Sequence, residues 1–479
     1  MRWRPTNPPT ITTSASSVGH RKRCSQAETT TAVSGLRTDL YEIRMAASYS
    51  RRGMTAPATF SLFTRKLPRE RGFLVAAGLA DCLEFLQELH FDADELRYLA
   101  DVVGLGADDL AALGELRFTG EVRAVPEGRV VFADEPLLEV TAPIAQAQLV
   151  ETALLNFVTF QTSVATKAAR CRIAAPHADL IDFAARRTHG LEAARAVARA
   201  SAIAGFTGTS YVAAAREFDL PSSGTMAHSY VEAFPDERSA FTAFAEDFPG
   251  ITVFLVDTYD TAQGVRTAID VAGGRTEGLV GIRLDSGDLA ELARWSRRLL
   301  DEAGFSTARI MASGGLDEHQ LADLAGTPID AFGIGTRMGV SADAPSLDSA
   351  YKLVEYDHHP VMKLSPGKLT APGAKQVHRG APGEPDLLAL RDDIAPPGRE
   401  PLLEVVMRDG ARLNDPEPVA VARRRFEGEL RWLPDAARRL TDPSPVEVSW
   451  SPELQRLTDE LRRSLVTRMG LENTTKRKQ

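Results

Sequence analysis

From Ile251 to Arg337 the sequence repeats one unit, a short apolar run followed by a helical pattern. The runs ITVFLVDTY, GLVGIRLDS, ARIMASGG and AFGIGT are rich in β-branched and other apolar residues and stop at polar or Gly-rich positions, as a buried strand does. Counted from Thr252, Leu279, Ala308 and Ala331, the offsets are 27, 29 and 23 residues, enough for a strand and a returning helix. Such a rhythm confines this part of the chain to β/α units with parallel strands, where chemistry collects at the strand ends. Those ends carry Asp257, Asp260, Asp285 and Asp288, then Ser313-Gly314-Gly315, then Gly333, Gly335 and Thr336.

The series is predicted to begin at ADLIDFA, residues 178–184. Upstream, residues 1–35 are rich in Thr, Ser and Arg, with Glu28 the only acid, and are expected to be a disordered extension. ATFSLF is predicted to be a strand, Leu74 to Leu89 a helix, residues 121–140 a small antiparallel sheet, and Ile144 to Arg172 one long helix. Beyond Ser349, YKLVEY, PVMKLS and LLEVVM alternate around Pro/Gly turns, so the chain leaves the β/α series and is expected to rejoin the N-terminal sheet. A terminal helix runs from Pro452 to Met469, and the tail NTTKRKQ is expected to fray. The expected units are an N-terminal mixed sheet domain (36–150), an α/β unit (151–348) and a returning C-terminal segment (349–479).

A formal net charge of −9 argues against broad binding to nucleic acid or to an acidic membrane surface. Cys24, Cys82 and Cys171 fit neither a disulfide framework nor a CxxC metal site, which makes a reducing cytoplasm the simplest compartment.

At the glycine-rich ends, backbone N–H groups can approach a phosphate closely, and paired cradles on the last strands of a barrel suit a substrate phosphate. The aspartates admit two roles. They can cap the helices that follow, or they can receive a Mg²⁺ carried in on a polyphosphate, the role favoured for Asp257 and Asp285. Arg186 and Arg187, directly after LIDFA, need anionic partners, either a ligand or a structural carboxylate. His228 lies in the polar stretch PSSGTMAHSY, where it is either ligand-facing or structural. Arg309 begins its strand, so the pattern alone puts it on the surface.

The chain resembles nicotinate phosphoribosyltransferase through TDLYEIRM, FTRKLP, DFAARRTHG, GFTGTSYV, GTMAHS, LVDTYDT, GIRLDSGDL, ASGGLDE, GIGT, YKLVE and PGAKQVHR, spread in order from Thr38 to Arg379. The resemblance implies an α/β fold, with an irregular, incomplete barrel beside a mixed α+β sheet domain built from both ends of the chain. It implies that nicotinate and 5-phosphoribosyl 1-pyrophosphate become nicotinate mononucleotide and pyrophosphate, with Mg²⁺ as cofactor and ATP as co-substrate of a ligase-type enzyme in NAD salvage. By motif, Arg186 would contact the donor or the nicotinate carboxylate, and Arg309 would line the same pocket. Tyr41, Phe183 and Ser210 would hold the ring, Thr209 would be a further substrate-binding residue, and Ser313 to Gly315 and Gly333 to Thr336 would take the 5-phosphate. His228 would be the phosphohistidine, Asp285 a catalytic carboxylate, and a homodimer the functional unit. Tyr211, Ala184 and Thr188 depart from the usual motif residues. Rival readings are a nicotinamide or quinolinate phosphoribosyltransferase, an aldolase-like barrel lyase, and a metabolite-binding protein without catalysis. Ser210, where a nicotinamide enzyme typically has Asp, favours a carboxylate substrate, and the barrel strands hold no lysine for a lyase.

Overall fold

The computed structural model describes residues 34–273, 279–365 and 370–469. Of the extension expected over residues 1–35, residues 1–33 lie outside the described residues, as does the NTTKRKQ tail expected to fray, whereas Gly35 is buried and its N–H donates to the His90 carbonyl at 2.9 Å.

Two large sheets organise the chain, which is a mixed α/β protein. In the first, Pro57–Thr64 lies between Ser349–Tyr356 and Pro136–Pro143, and Glu121–Ala124 and Glu404–Arg408 extend a seven-stranded antiparallel order. Pro57–Thr64 is buried at every position after the first, as expected of a strand covered on both faces. Phe60 stacks on Tyr351 across the ladder, ring centroids 4.8 Å apart, so the two ends of the chain share one core.

The second sheet has six strands, all parallel, in the order Gly208–Thr209, Asp179–Asp182, Ala331–Ile334, Arg309–Ser313, Gly281–Leu284 and Val253–Leu255. Helices return the chain between strands. The clearest, Leu289–Glu302, starts where the Asp288 carboxylate accepts the Glu291 N–H at 3.0 Å, and stops before Gly304, whose φ of 83° suits glycine. It buries Ala293, Ser296 and Leu300.

Two sequence expectations are corrected. The helix expected from Leu74 begins only at Leu79, because Leu74–Val75 pairs as a strand with Val130–Val131. The amides of Gly78 and Leu79 donate to Glu127 Oε1 at 2.7 and 3.2 Å, a cap supplied from far along the chain. The long helix from Ile144 is two helices, Ile144–Leu149 and Glu151–Ala174. Glu42 Oε1 accepts the Thr152 N–H at 3.1 Å and so starts the second one. In both cases the deciding group is distant in sequence, and local periodicity carries no trace of it.

A buried ion network fixes the parallel sheet to the rest. Glu318 takes Lys167 at 2.6 Å and Arg170 at 2.8 Å, and Asp343 takes Lys167 at 2.9 Å and Arg71 at 3.0 Å. Burial pushes the Asp343 carboxyl up, but the bonds and charges of Arg71 and Lys167 outweigh it and hold the pKa well below the usual value. Glu318 opens the helix just after Ser313-Gly314-Gly315, so this network also anchors that turn.

Candidate active site

All six parallel strands end on one edge, and that edge gathers most of the expected residues. At its centre is Arg283, on the strand Gly281–Leu284. Its Nε donates to Ser313 Oγ at 2.7 Å, Nη2 to Asp285 Oδ1 at 2.6 Å and Nη1 to Thr225 Oγ1 at 3.2 Å. Its guanidinium also lies 5.4 Å from the centroid of the Phe183 ring. Ser313 closes the triangle by donating to Asp285 Oδ1. Sequence reasoning missed Arg283, although the signal was present: residues two apart on a strand face the same side, so Asp285 implies its partner at 283.

Burial pushes the Asp285 carboxyl up, but hydrogen bonds from Ser313 and Arg283 and the charges of Arg283 and His228 hold its pKa below the usual range. Asp257 joins the group from the next strand end. Its Oδ2 accepts the Asp285 N–H at 3.1 Å and the Ser286 hydroxyl at 2.6 Å, while its buried Oδ1 has no hydrogen-bond partner. His228 Nδ1 lies 3.2 Å from Thr258 Oγ1, beside the same edge. Glu237, on the helix that follows, is another carboxyl the sequence did not single out; burial, reinforced by Asp260 and Asp257, raises its pKa to about 7.

The other aspartates are caps. Asp260 Oδ1 accepts the Gln263 N–H at 2.7 Å, and Asp288 starts the helix described above.

The two glycine cradles differ. Gly314 has a φ of 101°, and a Cβ there would lie 2.1 Å from the Asp285 carbonyl oxygen. Gly315, with a φ of 66°, faces open space, so the Ser313 turn presents exposed backbone beside Asp285. Gly314→Ala should therefore cost about 2 kcal/mol or more of stability. Equilibrium unfolding measures it, and a wild-type midpoint would contradict the close approach. Gly333 departs from the expected phosphate cradle: a Cβ there would meet the Phe183 ring at 2.5 Å, so its missing side chain makes room for that ring. Gly335 precedes the short helix Thr336–Gly339, with Thr336 exposed at its start.

Two further placements differ from expectation. Arg309 sits at the opposite edge, where it pairs with Asp179 at 2.6 Å. Four residues of strand, roughly 13 Å, separate it from Ser313, so it does not line this site. The Thr209 hydroxyl is buried and donates to Asp182 Oδ2 at 2.8 Å, which makes it a support rather than a ligand contact. Tyr41 is exposed on the helix Leu40–Arg51, with Glu42 and Glu151 as its polar neighbours, and partial burial, reinforced by those carboxylates, raises its pKa. Ser210 is exposed at its strand end, and its N–H donates to the Asp182 carbonyl at 2.8 Å. Arg186 and Arg187 are exposed in the turn after Phe183 and, among the described residues, have no ion-pair partner.

Asp182 beneath this turn is fully buried, and desolvation lifts its pKa to about 6 against the hydrogen bonds of Ala184 and Thr209. A raised carboxyl favours the folded state at low pH, and that advantage is lost as pH rises from about 4 to about 6. Wild-type stability relative to Asp182→Asn should accordingly fall by about 2–4 kcal/mol across that window and be flat above it. A pH-independent difference would contradict the assignment.

An α/β protein whose parallel sheet ends in carboxylates, a buried-edge guanidinium, exposed cations and a glycine turn has the makings of an enzyme for an anionic, phosphorylated substrate. The comparisons with known proteins narrow the class. Residues 36–159, 178–367 and 389–458 match the N-terminal domain, the family proper and the C-terminal domain of nicotinate phosphoribosyltransferase. The Mycobacterium tuberculosis nicotinate phosphoribosyltransferase pncB2 is 45% identical over 435 residues, covering 89% of this chain and 90% of that protein. The Bacillus subtilis nicotinate phosphoribosyltransferase is 43% identical over 375 residues, covering 75% and 76%. The crystal structure of human nicotinic acid phosphoribosyltransferase superposes with a TM-score of 0.80 at 30% identity, covering 88% of this chain and 99% of that one. The chain belongs to the nicotinate phosphoribosyltransferase family.

Among the described residues, no helix is long and apolar enough to cross a membrane. Cys82 and Cys171 are buried free thiols.

Proposed function

We propose that the protein transfers the phosphoribosyl group of 5-phosphoribosyl 1-pyrophosphate to nicotinate in NAD biosynthesis, at the edge built around Arg283, Asp285 and Ser313. The observation that carries this reading is that triangle of hydrogen bonds beside an exposed glycine turn, in a chain that belongs to this family. In the reaction the bond from the anomeric carbon to pyrophosphate breaks and the electron pair leaves with the pyrophosphate. The nicotinate ring nitrogen then forms its bond to that carbon from the opposite face, and no protein base is required. Asp285, kept ionised, faces the positive charge that develops on the ribose. Exposed Arg186 is available to the donor or to the nicotinate carboxylate, and Phe183, under the Arg283 guanidinium, offers an aromatic face for the base.

Among the described residues no three carboxylate, histidine or cysteine groups form a ready metal cage. Asp257 and Asp285, with the unpartnered Asp257 Oδ1, instead suit Mg²⁺ that arrives on pyrophosphate, since Mg²⁺ is commonly held by one or two carboxylates plus substrate phosphates. The ion would supply charge neutralisation on the leaving group. The Ser313–Gly315 turn and Thr336 would take the 5-phosphate. His228 would accept a phosphoryl group from ATP, which makes the enzyme ATP-dependent. The parallel sheet would form an irregular, incomplete barrel, the enzyme would work in the cytoplasm, and the exposed Tyr41 would complete a site within a homodimer.

The acceptor is tested with nicotinate, nicotinamide and quinolinate supplied separately to purified protein, donor and Mg²⁺. Mononucleotide should form from nicotinate far faster than from the other two. Preference for nicotinamide or quinolinate would overturn the assignment.

A further inference from the structure

At the edge of the parallel sheet opposite the candidate active site lies a cleft of ≈ 670 Å³. Its walls come from the end of the helix Glu151–Ala174, the start of the strand Asp179–Asp182, the turn at Gly205 and the helix Val419–Trp432. Four arginines line it, Arg172, Arg423, Arg431 and Arg438, against two carboxylates, Asp179 and Glu427. Asp179 is already paired with Arg309 at 2.6 Å, and Glu427 is exposed to water. Arg438 pairs with Asp435 outside the cleft, which leaves Glu427 facing Arg172, Arg423 and Arg431, so the space carries an excess of positive charge.

The two half-buried arginines are bound only by carbonyl oxygens. Arg172 donates to Ala175 at 3.0 Å, Ala178 at 2.8 Å and Gly205 at 2.7 Å, and Arg423 to Ala202 at 2.8 Å and Phe206 at 2.7 Å. Neither has a carboxylate at ion-pair distance among the described residues. Burial lowers the pKa of both, and for Arg172 the charge of Arg423 adds to the effect while Asp179 opposes it. Capping of helix ends accounts for Arg172 and Arg423 taken singly. It does not account for Arg431 and Arg438 facing the same space, nor for the buried Nε of Arg438, which has no hydrogen-bond partner although the same side chain pairs with Asp435.

We propose that this cleft is a second anion site, separate from the catalytic edge, that takes the phosphate group of a small phosphorylated metabolite. Planar guanidiniums match phosphate oxygens in pairs, and a bound phosphate would relieve the repulsion between Arg172 and Arg423. The volume suits a ligand of nucleotide size, and Ile173, Pro176 and Leu430 give its organic part an apolar wall. Because the helix Val419–Trp432 belongs to the returning C-terminal segment, an occupant would tie that segment to the foot of the sheet.

Isothermal titration of the full chain with inorganic phosphate and, separately, with AMP tests the site. The variants are Arg423→Gln, Arg431→Glu and, as a control at the catalytic edge, Asp285→Asn. At least one probe should bind the wild type in a class of sites that weakens about tenfold or more in the two cleft variants and persists in Asp285→Asn. AMP binding more tightly there than phosphate would assign the site to a phosphorylated metabolite, and equal affinity to the free ion. The Arg431 side chain is exposed and makes no hydrogen bond or ion pair among the described residues, so Arg431→Glu should fold even if Arg423→Gln does not. It should also leave nicotinate kinetics unchanged, which separates this test from that of the catalytic reading. Titrations of both folded cleft variants that superimpose on the wild type's would overturn the proposal.

Discussion

Replacing Asp285 with asparagine should lower turnover by about 100- to 1,000-fold while the protein stays folded. Asparagine keeps the shape but removes the charge that the proposed reaction sets against the developing cation of the ribose. It also leaves the Arg283 guanidinium, now 2.6 Å from Asp285, without its carboxylate partner. A merely structural Asp285 would give the opposite split, with lost stability and near-normal turnover per folded molecule. Steady-state rates beside thermal unfolding distinguish the two, and turnover within about threefold of wild type would remove Asp285 from the chemistry.

His228→Ala should abolish protein labelling from γ-labelled ATP, and with it any stimulation of mononucleotide synthesis by ATP. With Nδ1 beside the Thr258 hydroxyl, Nε2 is the nitrogen left to accept a phosphoryl group. Transfer from the donor should continue without ATP at a reduced rate, because His228 is not one of the groups in the Arg283–Asp285–Ser313 triangle. Undiminished labelling of the variant would show that another residue accepts the phosphate.

Much of this arrangement was legible in the sequence, for a physical reason. Strands buried on both faces leave long apolar runs, and the residues just past each run must lie on one edge of a parallel sheet, so the sequence alone groups Asp257, Asp285 and Ser313. The role of Asp260 and Asp288 as caps was one of two stated readings, and hydrogen-bond geometry decided it. What the pattern could not show was which atoms each side chain is already using. Thr209 looks available until its hydroxyl is found on Asp182, and Gly333 looks like a phosphate cradle until the Phe183 ring fills the space beside it. Arg309 is the instructive case. Its place at the start of its strand puts it on the surface, motif resemblance moves it to the pocket, and the fold returns it to the far edge, with Arg283 supplying the inward guanidinium. The helix starts at Leu79 and Glu151 were hidden for a different reason, since their caps, Glu127 and Glu42, come from remote parts of the chain.

The central claim, that this edge moves a phosphoribosyl group onto nicotinate, is tested most directly by following one reaction mixture of purified protein, 5-phosphoribosyl 1-pyrophosphate, Mg²⁺ and nicotinate, with and without ATP. The account predicts nicotinate mononucleotide and pyrophosphate in equal amounts, with ATP driving the yield higher. Donor consumed without mononucleotide, or no consumption by protein shown to be folded, would contradict it.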